Sequence, residues 1–444
     1  MMLRNIFKFV LPLILVLGFS ACDIETIEDP NNPSVGAITG DASLSEIQNL
    51  VDGIEAGMRI NLNFYFDGVG AIGREIYRFS TSDPRFTSDL LGKGSAVLDN
   101  NTFYTTNPFA ARYRTVKNAN ILLEASGNSR ALTTDAQRNA IRGFSNTIKA
   151  YQLLLVWVQQ YDNGIRVDVA DPNNLGAFVG QGNHQDALRA IGLLLDEGNT
   201  QLATAGAAFP FSLSVGFDGF NTPANFAKFN RALMARVDVY RESWDNALTD
   251  LTGSFFNLNG SLATGPYHPF STAGGDELNP QWYPAGSTGE SRVVQPSWVT
   301  DAAPGDTRLS KATLRASTEF QDGLQSDYDL TVYATNASPI PIIRNEELLL
   351  IYAEANAQKD TPASLAEAVI ALNIIRNAAG LANYGGAVSK AALIDEMLQQ
   401  RRYSLFGEGH RWVDMRRYNR LGTLPIDRAG DDVWVKFPRP ANEN

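Results

Sequence analysis

Apolar positions along most of this chain fall three and four residues apart, the spacing of helices that bury one face. Leu44 to Arg59 carries the first such stripe. The same spacing predicts helices over Ala110–Ala125, from Thr134 onward, over Gln185–Leu202, Ala224–Glu242 and Trp244–Leu251, and again from Ile342. Thr134 and Gln137 stand at capping-box spacing, and Phe144, Ile148, Tyr151 and Leu155 then line one helix face. Leu153 to Val158 is apolar all round but far too short to span a bilayer, so it belongs to a core. Later, Leu348, Ile351, Tyr352 and Ala355 repeat at helical spacing. Thr361 caps the next helix, with Pro362 at its first position and Gly380 past its end. Leu365, Ala368, Val369 and Leu372 form its inner face, and Ser389–Phe406 follows. Short turns between such helices predict helical hairpins.

The period is lost in two stretches. Residues 61–107 are rich in Gly, Ser, Asn and Asp and read as loops. Gly68, Gly70 and Gly73 spell GxGxxG, but a dinucleotide fingerprint needs a strand before it and a βαβ unit around it. Neither pattern is present, so no nucleotide cofactor is expected. Residues 252–341 hold eight of the twenty prolines, together with Tyr267, Trp282, Tyr283 and Trp298. So long an irregular stretch is functional or disordered, and its aromatic content argues against disorder.

The segment from Leu398 to Arg420 concentrates six arginines in a chain that is acidic overall. Gly407 and Gly409 break the helical run, and a second helix is expected near His410. There Arg411 and Asp414, and Trp412 and Met415, are i,i+3 neighbours. Glu408 would sit at that helix's positive N-terminal end. The expected product is a tight corner held by aromatic burial and guanidinium–carboxylate pairs, with no ligand role.

Composition narrows the function classes. The 444 residues are 44% hydrophobic with a formal charge of −11, enough for a large core and without the net positive field that attracts nucleic acid. Residues 1–21 read as an export signal. Arg4 and Lys8 precede the apolar run Phe9–Leu17, and small Ser20 and Ala21 precede Cys22, the only cysteine. A lone cysteine right after a signal core resembles a lipobox, so Cys22 is expected to carry lipid and residues 22–43 to form a tether. Asp23, Glu25, Glu28 and Asp29 make its start acidic. Histidine-based catalysis is hard to assemble from three histidines, and no HExxH, GxSxG or P-loop pattern occurs. One cysteine cannot build a thiolate metal cage, and no EF-hand loop is present. A glycosidase carboxylate pair stays open, since sequence does not give the separation of two carboxylates. Glu346-Glu347 and Asp431-Asp432 read as solvated or paired surface charges.

Arg401, Glu408, Gly409, Arg411, Trp412, Asp414 and Arg417, with His410 and Arg416, resemble the C-terminal signature of the SusD/RagB family. Pro341–Leu348, Ala353-Glu354-Ala355 and Lys436–Pro440 resemble further motifs of it. Gln400 and Ser404 stand where the family usually has glutamate. The resemblance implies a mainly α fold: a tetratricopeptide-like helical hairpin scaffold (about 108–251 and 342–420) under a large irregular loop layer (61–107 and 252–341), all within a body of 44–444. It implies that the signature is scaffold. It also implies a non-catalytic, lipid-anchored protein on the outer face of the outer membrane, which captures nutrient oligomers, most simply glycans, for a TonB-dependent SusC-like transporter. A carbohydrate-active hydrolase, a peptide-binding RagB-like protein and a purely structural transporter subunit are the alternatives. No cofactor is expected, although some relatives bind calcium and the metal question is left open. Trp282, Tyr283 and Trp298 are the leading candidates to rest against a ligand, with Asn63, Tyr65, Asn101 and Tyr104 from the earlier stretch beside them. The competing reading makes these aromatics the small core of the loop layer.

Overall fold

The computed structural model describes residues 35–171 and 173–443. The export signal, Cys22 and the first part of the tether lie outside them. The tether's described part is not extended chain: Val35–Gly40 is helical, and the Asn128 amide donates to the Thr39 carbonyl at 2.9 Å.

The fold is mainly α. Leu44–Arg59 opens on a Ser43/Glu46 capping box, and Asp135–Gln160 on the expected Thr134/Gln137 box. Each box satisfies backbone donors that the first helical turn leaves free. Phe103–Asn128 packs on Asp135–Gln160, which packs on His184–Leu202; Pro223–Tyr240 and Trp244–Gly253 continue the series. Asn345–Lys359 and Pro362–Ala378 form a further hairpin, and Lys390–Ser404 lies against the first of them. The stack of hairpins is tetratricopeptide-like, and one contiguous apolar core runs through most of it.

The loop layer departs from expectation. Residues 252–341 supply three strands of a four-stranded antiparallel sheet, ordered Ile76–Ser80, Glu290–Val294, Leu324–Leu330, Ala312–Gln321. Asp322 and Gly323 join the last two at φ 54° and 80°. That is the left-handed pair a two-residue hairpin requires, and Asp-Gly is a preferred sequence for it. Residues 61–107 are likewise not all loop. Leu62–Ile72 is a helix, and the next long helix begins at Phe103. The GxGxxG glycines lie in and just after the Leu62–Ile72 helix for packing reasons. A Cβ on Gly68 would stand 2.9 Å from the Phe437 ring, and one on Gly73 3.0 Å from the Trp412 nitrogen. The missing side chains let this helix sit directly on the C-terminal corner.

In that corner Arg411–Arg417 is a short helix, but the ion pairs differ from the expected set. Asp414 does not pair with Arg411. It accepts from Arg401 at 2.7 Å and from Arg417 at 3.0 Å, and burial alone would raise its carboxyl, yet Arg401 and Arg417 hold it below the usual range. Arg417 also forks onto Glu354, which accepts from the Tyr418 hydroxyl at 2.6 Å. Glu408 is tied to Arg344 rather than to the helix end alone. Glu346 and Glu347 are not surface charges: Glu346 pairs with Arg344 and the buried Glu347 with Arg236. Trp412 is fully buried, edge-on to Phe437, and its indole N–H donates to the Trp434 carbonyl at 2.8 Å.

Glu75, just before the first sheet strand, is buried, and one of its carboxyl oxygens lacks a partner. Burial pushes its carboxyl up to about 8, against the ordinary 4.5. A raised folded-state value stabilises fully below about 4.5, and the contribution is lost as pH rises through about 8. Glu75→Gln should therefore flatten that side of the profile. Relative to wild type, the variant gains stability between pH 6 and about 9, read by urea denaturation across that range. Parallel wild-type and variant curves would refute the buried neutral carboxyl.

Candidate ligand-binding face

Four aromatic residues are partly exposed here: Phe64 on the Leu62–Ile72 helix, Phe103 at the start of the Phe103–Asn128 helix, and Trp282 and Tyr283 in the loop before Glu290–Val294. Phe64 lies 5.1 Å from Phe103, and Phe103 lies 5.0 Å from the buried Phe86. The Arg78 guanidinium stands 5.1 Å from both the Phe86 and the Tyr283 rings, and Arg292 stands 4.8 Å from Tyr283. Arg85 covers Phe103 at 4.8 Å. The guanidinium contacts are at cation–π distances, so Phe64, Phe103, Phe86, Arg78, Tyr283 and Arg292 form one connected ladder of rings and guanidinium groups, with Arg85 on Phe103.

One buried carboxylate fixes the ladder. Asp67, from the Leu62–Ile72 helix, accepts two hydrogen bonds from Arg292 at 2.5 and 2.8 Å and lies 3.6 Å from Arg78. Arg78 then donates to the Tyr283 hydroxyl at 3.0 Å and pairs with Glu290. Asn279 holds the aromatic loop: its amide donates to the Ser338 carbonyl at 2.7 Å, and its side-chain oxygen accepts from the Gln281 N–H at 2.8 Å. Gln281 reaches the Asn63 carbonyl at 3.3 Å, which ties the loop that carries Trp282 and Tyr283 to the start of the Leu62–Ile72 helix.

The carboxylates beside the ladder are ionised. Burial alone would raise Glu290, but hydrogen bonds from Ser80, Ser82 and Arg78 outweigh it and hold the carboxyl down to about 2. The hydrogen bond from Arg85 holds Asp83 below its ordinary value. Both are suited to accept hydroxyl protons and unsuited to donate one. Among the described residues no cluster of three or more His, Cys, Asp or Glu side chains is arranged to hold a metal ion.

The sequence candidates divide between surface and core. Trp282, Tyr283 and Asn63 are half-buried on this face, and exposed Asn101 adjoins Thr102, which accepts from Arg85 at 3.0 Å. Three candidates are corrected, because they are buried where no ligand reaches them. Trp298 is fully buried, stacked 4.0 Å from Phe406, with its indole N–H donating to the Arg402 carbonyl. The sheet folds it back onto the Lys390–Ser404 helix. Tyr65 and Tyr104 turn inward because each follows by one residue, about 100° of helix, an aromatic that faces out. Phe64 and Phe103 take the outward positions. The Tyr104 hydroxyl donates to Asp89 at 2.8 Å. Phe64, Phe86, Phe103, Arg78 and Arg85 were missed in the sequence reading because this stretch reads as loop; the helical period from Leu62 is the signal that finds Phe64.

Trp298→Ala should cost about 3–5 kcal/mol of stability, as truncation of a buried tryptophan does, whereas Trp282→Ala should cost no more than about 1 kcal/mol. Denaturant titration of both variants checks this, and equal losses would put Trp282 in the core as well.

The sequence profile of the SusD family matches residues 226–439. Among curated protein sequences none matches the chain significantly. Solved structures share its fold at low identity. A SusD superfamily protein from Bacteroides vulgatus is 17% identical, with a TM-score of 0.66 over 90% of this chain and 96% of that one. Surface glycan-binding protein A from Bacteroides thetaiotaomicron is 14% identical, with a TM-score of 0.67 over the same shares. A laminarin-binding SusD-like protein is 16% identical, with a TM-score of 0.62, again over 90% and 96%. The profile of the SusD family thus covers the C-terminal region that holds the corner, and the chain shares the fold of SusD superfamily proteins along nine-tenths of its length.

Proposed function

We propose that this chain is a non-catalytic cell-surface protein that captures glycan oligomers and hands them to a TonB-dependent, SusC-like outer-membrane transporter. The carrying observation is the ladder of half-exposed rings and fixed guanidinium groups. Sugar rings present apolar C–H faces that rest on flat aromatics, and their hydroxyls find partners in Glu290, Asp83, Asn63 and Arg85. Rings held by ion pairs on helices and strands lose little freedom when a ligand binds. Structural relatives named for glycan and laminarin binding support the same reading. Hydrolysis is disfavoured by the carboxylates at the face: a glycosidase needs one carboxyl raised enough to protonate the leaving oxygen, and both are held ionised. Capture of this kind calls for no cofactor.

No helix among the described residues is long and apolar enough to cross a membrane. The proposed attachment is lipid on Cys22, outward-facing on the outer membrane.

Trp282→Ala should weaken binding of a recognised glycan by about tenfold or more, the effect of removing a hot-spot aromatic, while stability stays near wild type. Affinity electrophoresis over a glycan panel reads the binding, and mass spectrometry of the same mixtures reads products. Released products would put the hydrolase in place of capture. Cys22→Ala should abolish incorporation of labelled fatty acid and move the protein out of the membrane fraction; unchanged fractionation would remove the anchor from the proposal.

A further inference from the structure

The Phe103–Asn128 helix continues beyond the aromatic ladder into a second feature. Phe103, Ala110, Arg114 and Lys117 are spaced by seven, four and three residues, which puts them on one stripe, and the last three are exposed. Ala110, Arg114 and Lys117 line a cleft of about 330 Å³, closed on its other sides by Tyr113, Arg166, Leu175 and Glu443. That is within the size range of small-ligand sites. Tyr113 and Leu175, the latter 42% exposed, give it apolar walls.

The charge of this cleft runs against that of the chain. Arg114 and Lys117 have no ion-pair partner among the described residues. Arg166 is held in place: it donates to the Gly176 carbonyl at 2.6 Å and to Glu443 at 3.0 Å, and lies 4.0 Å from the Phe178 ring. Among the described residues Glu443 is the single carboxylate lining the cleft, and Arg166 occupies it. Three cations against one paired anion leave a local positive field on a protein whose net charge is −11. By helical rise, Lys117 stands about 21 Å along the helix from Phe103, a span that an oligomer covers and a monosaccharide does not.

We infer that the captured oligomer is anionic, a saccharide bearing carboxylate or sulfate groups, which lies along this helix face with its rings on the aromatic ladder and a charged group in the Arg114–Lys117–Arg166 cleft. The inference rests on the capture reading and adds the ligand's chemical class. Arg166 supplies a guanidinium fixed by its own partners, and the exposed Arg114 and Lys117 supply steering and screening-sensitive attraction.

Calorimetric titrations with three probes test it: an oligogalacturonate for carboxylate, a heparin-derived oligosaccharide for sulfate, and a neutral cello-oligosaccharide of matched length. At low salt one charged probe should bind wild type at least about tenfold more tightly than the neutral one. Which of the two does so identifies the anion. Raising the salt past about 0.15 M should narrow the difference, and Arg114→Ala/Lys117→Ala should abolish it at low salt. A charge preference that persists in the double variant overturns the inference, and so does a wild type that binds neither charged probe better than the neutral one. Trp282→Ala, run beside these, separates the two readings. If it leaves binding intact while the double variant abolishes the charge preference, the aromatic platform fails and the cleft stands. If it alone loses binding, the cleft fails and capture stands.

Discussion

The buried guanidinium–carboxylate network of the C-terminal corner is the constraint on which the rest of the structure depends. Asp414 accepts from Arg401 and Arg417, Arg417 forks onto Glu354, and Arg236 onto Glu347. Apart from Asp414–Arg417, which lies within one helix, each pair joins two different helices, so the network fixes how Pro223–Tyr240, Asn345–Lys359, Lys390–Ser404 and Arg411–Arg417 are set against one another. Apolar contacts alone are tolerant of small slides between helices. A forked ion pair in a dry interior is not, because a slipped register strands an unpaired charge away from water. Desolvation opposes every one of these pairs, which makes them devices for geometric definition more than for net stability.

The corner in turn seats the element that carries the candidate site. The Leu62–Ile72 helix approaches Phe437 and Trp412 so closely that Gly68 and Gly73 have no room for a side chain. From that seat Asp67 reaches Arg292 and Arg78, and those two hold Tyr283. The chain of cause runs from ion pairs in the scaffold, through glycine-limited packing, to the orientation of a surface ring. The aromatic loop is thus tied to the rigid body at both Asn279 and Tyr283, although its tip at Pro284–Gly286 is exposed.

Helices were legible in the sequence wherever one face repeats. The Leu44–Arg59 span and the Thr134/Gln137 and Thr361 caps can be read directly, because capping and amphipathic spacing are local. The sheet was not read, for two reasons. Its strands are drawn from residues 76–80 and 290–330, so pairing is decided by contacts far apart in sequence. Its one local signal, Asp322-Gly323 between runs of strand-forming residues, lies amid prolines and glycines that suggest loop. The same cause misplaced Trp298. Its burial depends on Arg402, Tyr403 and Phe406, about a hundred residues onward, and no local pattern announces such a contact. In the corner, residue types were legible and partners were not: Asp414 had Arg411 at helical spacing, but Arg401 and Arg417 reach it with better geometry.

A site built this way divides its labour between fixed and free charges. Arg78, Arg292 and Arg166 each have their guanidinium committed to protein partners, so their part in recognition is to hold a ring or a cleft wall in place. Arg114 and Lys117 are exposed and have no ion-pair partner among the described residues. Fixed groups decide which shapes fit, since little freedom is left to lose on binding; free groups decide how fast and with what charge a ligand arrives. A protein with a net charge of −11 repels anionic oligomers at long range. A cleft that reverses the sign locally, on the same helix face as the aromatic ladder, gives such an oligomer one orientation in which attraction replaces repulsion.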